Sequence, residues 1–327
     1  MTPDALRYLI RHDTRYRYDQ AVGESRQIVR LRPRELPRQH CIAHRLETDP
    51  APRRSESYND GFGNPVCSLH FEREHDVLFV RAESLVEIMP PPRALDESPP
   101  WETVRNKLAY CAGHPLDAAF LEAAGCLFES RYVRVKHDFA EYAHADFPPA
   151  TPLLVGADRL MRRIHREFTY DPEATDISTP VTEVLASRRG VCQDFAHLML
   201  SCLRSLGLAA RYVSGYILTH PPAGKERLVG ADATHAWVSV FCPGQGWVDF
   251  DPTNAQMPAT EHVTLGWGRD FADISPLRGV ILGSGGHKME IAVTMVRETE
   301  SHILYPETPV VTAFQAIPTV TFHSMGY

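Results

Sequence analysis

One cysteine of this chain stands where a helix begins. Cys192 follows Gly190 and Val191 in "RRGVCQDFAHLMLSCLRSLG", residues 188–207. Behind it Phe195, Met199, Cys202 and Leu206 recur at three- and four-residue intervals, the spacing of a buried helical stripe. Gly207 suits the C-terminal cap. A helix N-terminus carries about half a positive charge and N–H groups without partners. Both favour thiolate over thiol, and cysteines so placed can have pKa values of about 3.5 to 7.5. Cys192 is therefore placed as a nucleophile, with its own backbone N–H available to an oxyanion.

A cysteine nucleophile needs a histidine to hold its proton and a third group to orient that histidine. His197 lies on the same helix, about 140° round the axis from Cys192, and reads as a hydrogen-bonded core residue. His165 falls in a basic helical pattern and reads as a solvated face. His235 lies at the start of a strand, "THAWVSVFC", whose return partner "GWVDFDPT" carries Asp249 and Asp251. These alternate with Val248 and Phe250, so both carboxylates point to one face. Either can accept the second ring N–H of His235, because the sequence does not set the hairpin register. Trp237, two residues beyond His235, shares its face and is expected, with Asp249, at the substrate cleft. Trp247 reads as core.

Other spacings carry less chemistry. His40 and His44 are four apart, but the pattern around them is that of a strand and no third ligand accompanies them. "GSGG" at 283–286 lacks the Gly-Lys-Ser/Thr ending of a phosphate loop and reads as a turn. Acidic loops with calcium-ligand spacing are absent. No metal and no cofactor are expected.

The elements that must hold this chemistry fall into blocks. Residues 1–93 are short runs rich in β-branched and aromatic residues, such as "YLIRHDTRYRY" and "DVLFVRAESLVEI", with "YNDGFGNP" as a turn, and predict a β-sandwich-like domain. The proline-rich "MPPPRALDESPPW" marks a boundary, since proline has no N–H to donate. A linker and helical segment is expected over 94–150, and a catalytic core with C-terminal strands over 151–297. The tail, 298–327, is unassigned. In "TPVTEVLASRRG" Thr179 is expected to cap a helix, with Pro180 in its first turn and Gly190 past its end. Helices before strands make the main domain α+β.

The 327 residues are 43% hydrophobic, enough to fill a core, and the net charge of −7 offers no basic surface for nucleic acid. The start lacks a signal-peptide pattern and no apolar run reaches membrane-span length. Seven cysteines, with no C-x-x-C pair, suit free thiols in a reducing cytosol.

Three separated motifs, "GVCQDFAHLMLSCLRSLGLAARYVSGY", "DATHAWVSVF" and "GWVDFDPTN", resemble in order those of the transglutaminase-like superfamily, a branch of papain-like folds. "YLIRHDTRYRYDQAV", "RLRP" and "DGFGNPV" are similar to the β-rich N-terminal region of bacterial members, and "GRDFADISPLRGVILGSGGHKMEIAVTM" to their C-terminal segment. The resemblance implies a Cys-His-Asp triad of Cys192, His235 and Asp251, the aspartate of "DPT", with Asp249 as its neighbour. It implies Tyr170 of "FTYDP" as an upstream aromatic oxyanion donor, with Gln193 as a further candidate. The expected activity is thiol-dependent peptidase or amidase chemistry on a peptide or protein amide, through a thioester that passes to water. Transfer to an amine is the first rival, and a binding module that kept the fold is the second.

Overall fold

The computed structural model describes residues 5–90, 95, 97–109, 117–220, 229–230, 234–283 and 285–306. Part of the proline-rich boundary (91–94 and 96), Cys111, Ser284 of the "GSGG" turn and the tail from 307 lie outside the described residues.

Six strands come first: β1 (Leu6–Val22), β2 (Glu24–Val29), β3 (Gln39–Asp49), β4 (Arg54–Asn59), β5 (Pro65–Phe71) and β6 (His75–Ile88). Four helices follow: α1 (Trp101–Leu108), α2 (Ala118–Ala124), α3 (His137–His144) and α4 (Leu153–Glu167). The short β7 (Thr169–Tyr170) and β8 (Arg189–Gly190) flank α5 (Val181–Ser187), and α6 (Cys192–Ser205) comes next. Then come β9 (Ala210–Ile217), β10 (Thr234–Cys242), β11 (Gly246–Phe250) and β12 (His262–Gly268). The chain continues through α7 (Phe271–Ile274), β13 (Leu277–Leu282), β14 (His287–Arg297) and a 3-10 turn at Glu298–Ile303.

Alternation drives the N-terminal strands into two facing sheets. In β1 Tyr8, Ile10, Tyr16 and Tyr18 turn inward, and they meet Leu69 and Phe71 of β5 and Leu78 and Val80 of β6. The sheets run β14-β1-β6-β3 and β13-β2-β5-β4. β14 and β13, expected with the catalytic core, hydrogen-bond instead along β1 and β2. The sequence-based grouping missed this because pairing across more than 200 residues leaves no local pattern. β4 also escaped it: "RSESYN" is exposed throughout, an edge strand with no apolar alternation.

The second layer is built on α6. Residues 194 to 204 are buried on every side, among α3, α4, α5 and the sheet β11-β10-β9-β12. Phe195, Met199, Cys202 and Leu206 all lie in this core. Fully burying each large apolar side chain contributes roughly 1.5–3 kcal/mol, which makes α6 the most constrained helix available to carry a reactive group. Gly207 takes φ 76° just past its end. α5 begins after Pro180, whose ψ of 140° is extended, and Thr179 instead accepts a hydrogen bond from the Asp176 N–H. Arg188, at φ 57°, ends α5, and Gly190 lies past that end.

The two layers share a seam. Tyr216, Leu218, Val263 and Leu265 of the second sheet region pack into the N-terminal core. His12 of β1 bonds Tyr216 Oη at 2.9 Å. Gln39 is nearly buried and brackets Thr264 of β12, accepting its N–H and donating to its carbonyl, both at 2.7 Å. Among the described residues no helix is long and apolar enough to cross a membrane. Cys41, Cys67, Cys126, Cys192, Cys202 and Cys242 are free thiols.

Candidate active site

Cys192 is the first residue of α6 and is half-buried. Asp194 fastens the helix start: its Oδ2 accepts the Val191 N–H at 2.8 Å and the Thr175 hydroxyl at 2.6 Å. Burial holds the Asp194 carboxyl above the ordinary aspartate range. The strand pair β7 and β8 leads into this corner in parallel, with Tyr170 opposite Gly190.

The hairpin of β10 and β11 delivers the rest. Its register sets Val238 opposite Phe250 and Ser239 opposite Asp249. Pairing stops there and the chain turns at Pro252–Ala255, with Ala255 at φ 50°. The turn carries Asp251 to the ring of His235, and Asp251 Oδ2 lies 2.7 Å from His235 Nε2. Cys192 lies near enough to His235 to act on its ring. Burial alone would lower the His235 pKa, but the interactions with Asp251 and with Cys192 raise it to about 10. An imidazole so placed can pass a proton at one nitrogen while the other is fixed.

Asp251 is completely buried, yet every oxygen is served. Oδ1 accepts the backbone N–H groups of Thr253 at 2.9 Å and Asn254 at 3.2 Å. Oδ2 accepts from His235, from Asn254 Nδ2 at 2.8 Å and from His262 Nε2 at 3.1 Å. Burial would raise its pKa, but the bonds from His235 and His262 reverse this and hold it well below the usual carboxylate range. Asp249 has other neighbours. Burial raises its pKa against the pull of Ser239 and Arg211, and no hydrogen bond joins it to His235.

The remaining candidates separate. Trp237 is 0% exposed and meets the His262 ring edge-on at 5.2 Å and the His235 ring at 6.0 Å. It backs the histidine and does not wall an open cleft: its ring lies across Gly215 of β9 and reaches His262 of β12 in the same sheet. Gly215, opposite His235 on β9, has no room for a side chain: a Cβ there would lie 2.0 Å from the Val263 carbonyl oxygen and 2.5 Å from the Trp237 indole. Tyr170 is 54% exposed and close enough to Cys192 for its phenol to feel the sulfur's charge. Gln193 is half-buried next to Cys192. His197 is buried, accepts the Phe271 N–H at 3.3 Å and stacks on Tyr132, and burial lowers its pKa to about 3. His165 is exposed and His40 and His44 bond Glu35 and Ser84 separately.

Sequence reasoning missed Asn254 and His262. Asn254 stood in the quoted "GWVDFDPTN" and its place beside "DPT" was the available signal. His262 gave none, since a histidine opening a strand has no periodic signature. Among the described residues, His235, Asp251 and His262 bring ligand-type atoms within 4.8 Å of one another. Three N–H donors already converge on the one shared oxygen, which is hydrogen-bond geometry.

Known proteins align with this architecture. Residues 8–87 match the bacterial transglutaminase-like N-terminal region, and residues 142–252 match the transglutaminase-like superfamily. An uncharacterized protein of Mycobacterium tuberculosis is 42% identical over 299 residues, covering 89% of this chain and 92% of its own length. A protein-glutamine gamma-glutamyltransferase of Pseudomonas aeruginosa is 35% identical over 139 residues, 39% of this chain and 21% of that one. A solved structure from Cytophaga hutchinsonii, a protein proposed to be a cysteine protease, shares the fold with a TM-score of 0.70 at 21% identity, over 91% of this chain and 92% of that one. A half-buried cysteine opening a buried helix, a histidine near it and an aspartate bonded to that histidine thus sit on a papain-like α+β core with a β-rich domain in front, and the chain belongs to the transglutaminase-like superfamily.

Proposed function

We propose that this protein is a thiol-dependent hydrolase of peptide or protein amides. The observation that carries the reading is the place of His235, bonded to Asp251 at 2.7 Å and close enough to Cys192 to interact with it. Cys192 attacks the amide carbonyl carbon and forms a C–S bond. The backbone N–H of Cys192 faces the oxyanion, with Gln193 and Tyr170 as candidate second donors. His235 gives its proton to the leaving nitrogen as the C–N bond breaks. The thioester then meets water, His235 takes the water proton, and a carboxylic acid leaves as the thiol is restored.

Water is favoured over an amine because nothing described near the sulfur makes an aromatic tunnel. Trp237 is fully buried, and Tyr170 stands exposed at the mouth. The transferase relative from Pseudomonas aeruginosa keeps acyl transfer as the second reading. Unpaired cysteines suit a reducing compartment, and the cytoplasm belongs to this proposal.

The test is the fate of the acyl group. A glutamine-containing peptide is incubated with the protein and excess primary amine, and products are weighed by mass spectrometry. Mainly free acid is expected, with or without calcium, and none from Cys192→Ala. Predominant amine conjugate would make the protein a transferase, and turnover by Cys192→Ala would end the thiol mechanism altogether.

A further inference from the structure

The oxygen that anchors His235 is shared. His262, the first residue of β12, is 5% exposed and sets its Nε2 3.1 Å from Asp251 Oδ2. Asp251 receives five N–H groups across its two oxygens. A carboxylate so surrounded accepts only, so Nε2 of His262 carries the hydrogen. Its Nδ1 is buried with no hydrogen-bond partner among the described residues. Leaving a buried ring nitrogen bare costs stability, and an apolar side chain of that size would avoid the cost. What the histidine provides in return is one N–H aimed at Oδ2.

We propose that His262 is a positioning residue of the catalytic machinery, acting through Asp251; the inference rests on the thiol-hydrolase reading above. Its N–H holds Oδ2 in place from the side opposite the hairpin. Asn254 and the Thr253 N–H come from the same turn as Asp251 and move with it. His262 comes from a different strand, so together with His235 it ties Oδ2 to the sheet, while His165 of α4 bonds the Thr253 carbonyl of the turn at 2.8 Å. That strand is in turn bracketed by Gln39 at Thr264, two residues on, which carries the support back to the N-terminal domain. Trp237 fills the space between, edge-on to His262 and tilted against His235. Without the His262 N–H the turn can shift, Oδ2 drifts, and the His235 ring loses its aim at Cys192. A cation among these three side chains would have to displace the N–H groups of His235, His262 and Asn254 from one oxygen, so the site is read as a proton-bearing cluster and not as a metal centre.

The test compares wild type, His262→Leu and His262→Gln by three measurements: kcat and KM for amide hydrolysis, the rate at which iodoacetamide labels Cys192, and melting temperature. Glutamine keeps an N–H near the position of Nε2 and leucine does not. His262→Leu should lower kcat and the labelling rate by about 10- to 100-fold, with KM within about twofold, because the loss acts through an orienting group and not through substrate contact. His262→Gln should recover most of both. Wild-type labelling that is selective for Cys192 but unchanged in His262→Leu would overturn the inference alone. So would equal impairment of the two variants, which would mark a packing role. Unselective labelling of wild type would overturn the thiol-hydrolase reading, and the inference with it.

Discussion

Gly190 and Asp194 are packed so closely that a Cβ on the glycine would lie 2.7 Å from the aspartate Oδ2 and 2.9 Å from its Cβ. The glycine before the cysteine is therefore a matter of space. Asp194 can reach back over the helix start to the Val191 N–H only because residue 190 has no side chain.

Gly190→Ala should displace Asp194 and release both Val191 and Thr175. The expected cost is about 1–2 kcal/mol, comparable to losing an N-cap. Melting temperature should fall and iodoacetamide should label Cys192 more slowly. An alanine variant with wild-type stability and labelling would mean that the corner relaxes without Asp194.

The two aspartates of β11 and its turn should behave differently. Asp251→Ala removes the carboxylate behind His235, and such losses reach on the order of 10⁴ in rate. Asp249→Ala removes a group placed by Ser239 and Arg211, and should retain most activity. Initial rates on one amide substrate decide it, and a dead Asp249 variant beside a working Asp251 variant would contradict the hydrogen bonding described.

The pH response follows from His235. Its pKa is raised from 6.5 to about 10, so the protonated ring binds its neighbours in the folded protein more tightly than it would in the unfolded chain. That contribution is complete below pH 6.5 and disappears as pH rises through about 10. Asp251 works in the other direction: its pKa is depressed, so its contribution is present above about pH 4 and is lost as the medium becomes more acid. Hydrolysis, which needs the His235 proton for the leaving amine, should hold to about pH 9 and fall towards 10. An alkaline limb centred near 6.5 would show that Asp251 and Cys192 do not hold the ring as described.

Gln39→Leu tests the seam. The Thr264 carbonyl keeps the Arg34 N–H at 3.1 Å, but the Thr264 N–H loses its acceptor inside the protein. One unpaired buried donor costs about 1–3 kcal/mol, and the melting temperature should drop by several degrees. Unchanged melting would imply that water reaches β12.

The parts of this molecule that were legible in its sequence are those encoded locally. The start of α6 could be read because Cys192 precedes a helical stripe whose members all prove buried. The hairpin from Thr234 to Phe250 could be read from two alternating runs around a glycine-bearing turn. The choice between Asp249 and Asp251 could not be made from alternation, because it depends on a turn that leaves the strand. Trp237 was given a cleft position but is fully buried, its ring lying across Gly215 of β9 and against His262 of β12, contacts that no local pattern shows. His262 and the pairing of β14 with β1 are tertiary facts with no local trace.

That last pairing sets an order of events during synthesis. β1 is made before α6, but its partner from His287 to Arg297 is made only after the whole α6 core and its sheet. Until then β1 and β2 each have an open edge, and open edges invite wrong partners. The N-terminal sheets are therefore completed only after the α6 core, and a nascent chain halted after β12 would hold Cys192, His235 and Asp251 while β1 and β2 each still lacked one neighbour.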